Sequence, residues 1–176
     1  SAPSPTPKPL PTAEPIPTPT QWPAPPALSA DADGFTLLDR LGRGVNLGNM
    51  LEAPREGDWG LTIQTEYFAL VRAAGFAHVR VPIRWSTHTA AEPPYAIDPE
   101  FLTRIDWVID QALANGLAVV LNVHHYDEMY AEPTVHDERF IAIWTQIAER
   151  YQDRPAEVLF ELLNEPVIVR WQKKVL

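Results

Sequence analysis

The chain has 176 residues, 45% of them hydrophobic, with 23 acidic against 14 basic side chains, no cysteine and a formal net charge of −9. Disulfides and thiol chemistry are excluded, and an acidic balance argues against a nucleic-acid partner. The sequence contains no run of about 18 apolar residues and therefore no membrane span.

Residues 1–30 place proline at alternate positions, through Ser4-Pro5-Thr6-Pro7-Lys8-Pro9 and again through Pro15-Ile16-Pro17-Thr18-Pro19. So few backbone donors favour polyproline II and cannot support a core, so this segment reads as a Pro/Thr-rich disordered linker, a semi-rigid spacer. Such spacers hold secreted domains away from a cell surface or another module; the plainer alternative is a disordered tail. The sequence starts at Ser1 without a basic-plus-apolar leader, and the expectation is a secreted protein, extracellular or at the cell surface, whose signal peptide has been removed.

From residue 31 the pattern becomes that of a folded domain. Gly44 to Gly48, His78 to Ile83 and Leu117 to His125 each lead from apolar into polar or aromatic residues at intervals of about 35 to 40 residues, as strands with functional ends would. Between them lie helical periods. Thr62 to Ala74 carries Ile63, Tyr67, Phe68, Leu70 and Val71 on one stripe, with Gly75 beyond. Asp98 is a candidate N-cap with Pro99 at the first helical position; that helix would bury Phe101, Leu102, Ile105, Val108, Ile109, Ala112 and Leu113 and end at Asn115-Gly116. Asp137 to Tyr151 would place Phe140, Ile141, Trp144, Ile147 and Ala148 inside. Asp127 and Glu128 read as solvating the loop after the third strand. A fourth strand, from Glu157 to Pro166, ends in Leu163-Asn164-Glu165-Pro166, and the proline cannot continue a central ladder.

Alternating strands and helices imply α/β architecture with parallel strands and right-handed crossovers, in either a doubly wound sheet or a (β/α)8 TIM barrel. Gly42-Arg43-Gly44-Val45-Asn46-Leu47-Gly48 resembles a dinucleotide loop, but its third glycine would fall on Leu47 and no strong helix follows directly. The barrel accounts for more, because Asn46 and Asn49, Arg80, His124 and His125, and Asn164 and Glu165 all fall at strand ends, where barrels gather their chemistry.

Four motifs in order, Gly42 to Pro54, Val79-Arg80-Val81-Pro82-Ile83-Arg84-Trp85, Asn122-Val123-His124-His125-Tyr126 and Leu163 to Pro166, together resemble glycoside hydrolase family 5, chiefly its bacterial β-1,4-glucanases, with some relatives that take mannan. The resemblance implies a barrel that hydrolyses β-glycosidic bonds of a glucan polysaccharide with retention; no metal or other cofactor is expected. It implies Glu165 as general acid/base, Asn164 on the sugar 2-hydroxyl, Arg80 beneath the nucleophile, His124 and His125 lining the subsite of cleavage, and Asn49 and Glu52 touching sugar hydroxyls. Trp59 could stack on a sugar ring or simply pack.

The chemistry is consistent with those residue types. Retention needs one carboxyl group to protonate the leaving oxygen and a second, about 5 Å away, to attack the anomeric carbon. A protonated Glu at neutral pH needs burial or a nearby like charge, whereas an Arg favours the ionised form of the carboxylate it touches. Duller readings stand beside these. Adjacent His124 and His125 point to opposite faces of a regular strand, so both reach one pocket only where the pleat is lost. His78, His88 and His136 lack the spacing of a zinc site. Arg80 could be an internal ion-pair partner, and Glu161 reads as a layer residue or a helix-facing group rather than a nucleophile.

After Pro166 the family pattern is expected to fail. Residues 167–176 read as a divergent tail, leaving residues 31–166 as the first four βα units of a barrel that typically needs about 250 residues. On this reading the chain is truncated: the strand bearing the nucleophile lies outside it, and the chain alone would be inactive or a carbohydrate-binding remnant. The first and fourth strands would become open edges.

Overall fold

The computed structural model describes residues 34–166; the Pro-rich segment 1–30 and the tail 167–176 lie outside the described residues. In chain order the elements are α1 (Gly34–Leu41), β1 (Gly44–Asn46), α2 (Thr65–Ala73), β2 (His78–Ile83), a 3-10 turn (Trp85–His88), α3 (Pro99–Ala114), β3 (Ala118–Val123), α4 (Asp127–Ala131), α5 (Pro133–Tyr151) and β4 (Val158–Glu161). The strands form one parallel sheet in the order β1-β2-β3-β4. Every crossover moves to the next position in the same direction, with no switch point, so the sheet is singly wound like a barrel wall and unlike a dinucleotide-binding sheet.

The alternation of the strands divides the sheet into two faces. Val79, Val81, Ile83, Val119, Leu121 and Val123 are buried against the helices with Phe68, Ile105, Val108, Ile109, Ile143 and Ile147. The opposite face carries Asn46, Arg80, Asn122 and Glu161, so the polar groups of the domain share the side that becomes the inside of a barrel.

Helix α3 forms as its sequence dictates. Asp98 accepts a hydrogen bond from the Glu100 N–H at 2.9 Å, Pro99 opens the first turn, and Asn115 with Gly116 at φ 68° closes the last. Phe101, Ile105, Val108, Ile109 and Ala112 are buried, with Leu102 and Leu113 half-buried beside them.

The other helices depart from expectation in specific ways. Leu70 of α2 is 55% exposed and Ile141 of α5 is 63% exposed. Each lies two positions from a fully buried residue, Phe68 and Ile143, hence about 200° around the helix. The buried stripe of α5 is Ile143, Ile147 and Tyr151, with Ala148 exposed, and the helix begins at Pro133 rather than Asp137. Helix α1 had no counterpart in the sequence reading. Asp127 and Glu128 open helix α4 instead of lying in a loop, and Asp127 pairs with Arg84 at 2.9 Å.

Candidate active site

All four strands end on one rim, where the backbone stays tied after regular pairing stops. The Leu47 N–H donates to the Arg80 carbonyl (2.8 Å), the His124 N–H to Ile83 (2.8 Å) and the Asn164 N–H to Val123 (2.9 Å). Each of these residues past a strand is therefore fixed against a neighbouring strand: Leu47 against β2, His124 against β2 and Asn164 against β3.

Arg80 is the centre of the cluster. Its Nε donates to Glu161 Oε2 and its Nη2 to Glu161 Oε1, both at 2.7 Å, while Nη1 reaches Asn46 Oδ1 and Nη2 reaches Asn164 Oδ1, both at 3.0 Å. This is the two-pronged geometry that suits guanidinium and carboxylate. The Arg80 hydrogen bonds hold the Glu161 carboxyl below the usual carboxylate range, and the same contact raises the guanidinium pKa. Glu161, which the sequence marks as a layer or helix-facing group, takes a layer position on the inner face, in the fork of Arg80. Asn122, fully buried on β3, adds a donor to Glu161 Oε1 at 3.2 Å and places the same amide nitrogen 3.2 Å from His124 Nδ1.

The condition for two adjacent histidines to share a pocket is met. Strand β3 stops at Val123 and His125 takes a positive φ of 49°, so the pleat is lost and the two rings meet nearly perpendicular with centroids 4.4 Å apart. Burial lowers the His124 pKa first, and the neighbouring His125 and Arg80 charges lower it further.

Asn164 accepts from Arg80 through its side-chain oxygen, which leaves its amide nitrogen as the group able to donate. Glu165 follows at φ 41° and is exposed on the rim. Its charge reaches Arg80 and Tyr130; the Tyr130 pKa is raised chiefly by burial and then by Asp127 and Glu165. The Tyr130 hydroxyl donates to the Asn164 carbonyl, clamping the backbone immediately before Glu165.

On the first strand's loop, Asn49 has φ 65° and Glu52 is buried. The Glu52 carboxylate accepts the Asn49 N–H and, at 2.9 Å, the Met50 N–H, so it braces the loop and leaves only its remaining lone pairs for a sugar. Its charge is felt at both Arg80 and His124. Further along, Trp59 meets His125 edge-on at 5.8 Å.

The rim thus brings Arg80, Asn164, His124 and His125 together, with Glu165 beside them and Asn49 and Glu52 on the adjoining loop. Sequence reasoning missed Asn122 and Tyr130 as members. An asparagine inside the apolar run Ala118–Val123 is a visible signal of a buried polar partner; Tyr130 gives none, because its segment reads as the loop after the third strand. Among the described residues, no three His, Cys, Asp or Glu side chains form a group able to hold a metal ion.

Comparison with known proteins gives consistent matches. The family model described as cellulase (glycosyl hydrolase family 5) matches residues 38–176. Endoglucanase H of Acetivibrio thermocellus is 43% identical over 143 residues, covering 81% of this chain and 16% of that protein. The cellulase/esterase CelE of the same organism is 38% identical over 142 residues, 77% of this chain and 17% of the relative. Among solved structures, Thermotoga maritima Cel5A in complex with mannotriose superposes with a TM-score of 0.75 at 56% identity, covering 76% of this chain and 44% of that one; the same protein with cellobiose gives 0.75 at 57%. The chain therefore spans less than half the length of each of these proteins.

Proposed function

The chain belongs to the cellulase family, glycosyl hydrolase family 5, and on that footing we propose that it contributes the acid/base half of a site for retaining hydrolysis of β-1,4-glycosidic bonds in cellulose or a related β-glucan. In this reading Glu165 protonates the leaving oxygen and then activates water. Asn164 donates its amide to the sugar 2-hydroxyl, where the bond strengthens as charge develops on the ring. His124, His125 and Asn49 line the sugar site, and Glu52 positions Asn49.

The single observation that supports this most is the place of Glu165 on the rim directly after Asn164, whose side chain is held by Arg80 and whose carbonyl is clamped by the Tyr130 hydroxyl. The other carboxylates of the cluster are committed: Glu161 lies in the guanidinium fork and Glu52 on backbone N–H groups. Neither is free to attack an anomeric carbon; the resemblance to the family implies that the attacking carboxylate arrives on a later strand, outside the described residues. The alternating prolines of residues 1–30 support an extracellular setting.

The test is to join the chain to the complementary half of Thermotoga maritima Cel5A and to follow hydrolysis of a soluble β-1,4-glucan by proton NMR. The first-formed reducing end retains the β configuration if the reading is right. An α first product, or no hydrolysis by a chimera that is folded and monodisperse, overturns it.

A further inference from the structure

We infer that the Tyr130 hydroxyl is a positioning group for Glu165: by holding the Asn164 carbonyl it aims the acid/base carboxyl at the bond to be cleaved. The inference rests on the reading of Glu165 as the proton donor.

Glu165 needs such a guide because its backbone is not in a relaxed state. It takes φ 41°, a left-handed conformation that a residue with a Cβ adopts only where its surroundings impose it. Strand pairing stops at Glu161, so the ladder does not impose it. What does is a set of contacts on the residues just before. Trp144 Nε1 of α5 donates to the Leu162 carbonyl at 3.0 Å, the Asn164 N–H donates to the Val123 carbonyl at 2.9 Å, and Arg80 Nη2 donates to the Asn164 side chain at 3.0 Å. These three contacts fix where Asn164 sits and leave its ψ free. The peptide that joins Asn164 to Glu165 is a rigid plane, so holding its oxygen sets the φ of Glu165 and with it the direction of the Glu165 Cα–Cβ bond. The Tyr130 hydroxyl makes that contact.

The donor is itself held in place. Its own N–H bonds to the carbonyl of Tyr126 at 3.2 Å, and Tyr126 is fully buried. Met129, the residue before it on α4, packs on the core. The first turn of α4 is tied to the end of β2, where Arg84 Nη2 donates to Asp127 Oδ2 at 2.9 Å. Burial, and then the negative charges of Asp127, Glu165 and Glu161, raise the Tyr130 pKa, so the phenol keeps its proton at neutral pH and stays a donor. Proton transfer to a leaving oxygen requires the carboxyl within hydrogen-bond reach of it. A hydroxyl that acts through Glu165 therefore controls turnover and leaves sugar binding nearly untouched.

The experiment compares the parent with Tyr130→Phe, which removes one oxygen and keeps the ring. In the chain itself, the heteronuclear NOE of the Glu165 amide should fall toward that of a mobile loop, while that of the His124 amide, bonded to Ile83, stays unchanged. In the chimera with the Thermotoga maritima half, kcat on a β-cellobioside with a poor leaving group should fall about 10- to 100-fold, with KM within about twofold. The glycosylation step with a dinitrophenolate leaving group should fall by less than about threefold, because it needs little protonation. Parent-like turnover on the poor leaving group, an unchanged NOE at Glu165, or equal losses on both substrates overturns the positioning role. The acid reading survives each of those results where Glu165→Gln still loses its turnover on the poor leaving group. Undiminished turnover in Glu165→Gln removes both.

Discussion

Arg80 on β2 and Glu161 on β4 clasp each other across β3, through two N–H···O contacts of 2.7 Å, although their strands are not neighbours. The pair spans the inner face, and Asn122 from the intervening strand completes it. Three of the four strands are thereby joined by side chains as well as by backbone.

Breaking this clasp has a stability consequence. Glu161→Ala leaves a guanidinium without its carboxylate and is expected to destabilise the domain by about 1 to 2 kcal/mol, a figure kept low because the Glu161 side chain is 36% exposed. Urea denaturation of the single variants and of Glu161→Ala with Arg80→Met tests this: the double variant should lose less than the sum of the singles.

The same pair sets an acid limit. Arg80 depresses the Glu161 pKa, so the folded state binds fewer protons than the unfolded chain below neutrality. That contribution is present above the ordinary carboxylate range and is lost as pH falls through the depressed folded value. Stability measured from pH 7 to pH 3 should fall less steeply in Glu161→Gln than in the parent; an equal slope would show that the clasp does not carry the acid sensitivity.

His124 offers an independent reading of the site's field. Burial and the charges of His125 and Arg80 lower its pKa, and Glu52 and Glu161 oppose them. Its NMR titration midpoint should lie below the ordinary histidine value of about 6.5. Glu161→Gln should lower it further, and Arg80→Met should raise it.

A fourth expectation concerns Trp85, which is fully buried with its Nε1 donating to the Asn122 carbonyl at 3.0 Å. Trp85→Phe removes both volume and a buried donor, and should destabilise by about 2 to 4 kcal/mol by thermal or chemical melt. The loss should exceed that of Trp59→Phe, whose ring is half in solvent.

Much of the architecture was legible because the signals were local and mutually consistent. Asp98-Pro99 and Asn115-Gly116 bracket α3 by cap chemistry, and His124 and Asn164 mark strand ends, whereas Arg80, expected at a strand end, lies in the middle of β2 and reaches the cluster through its long side chain. What escaped the sequence reading depends on angle or on distant partners. Leu70 and Ile141 are as apolar as their buried neighbours, and only the direction of packing decides which of them faces solvent. Glu161 shares its strand face with Glu165 in a regular strand, but pairing ends at Glu161 and positive φ at Glu165 turns the chain, which gives the two carboxylates separate surroundings. The tie between Tyr130 and the Asn164 carbonyl joins residues 34 apart in sequence and leaves no local trace.

The central claim is that Glu165 is the proton donor, and the most direct measurement is the turnover of the chimeric enzyme with Glu165→Gln on two β-cellobiosides, one with a poor leaving group and one with a dinitrophenolate. Loss of a general acid predicts a fall of about 10²- to 10⁴-fold on the poor leaving group and a much smaller one in the glycosylation step of the activated substrate, which needs little protonation. Turnover within threefold of the parent on both substrates, or equal losses on both in that step, would contradict it.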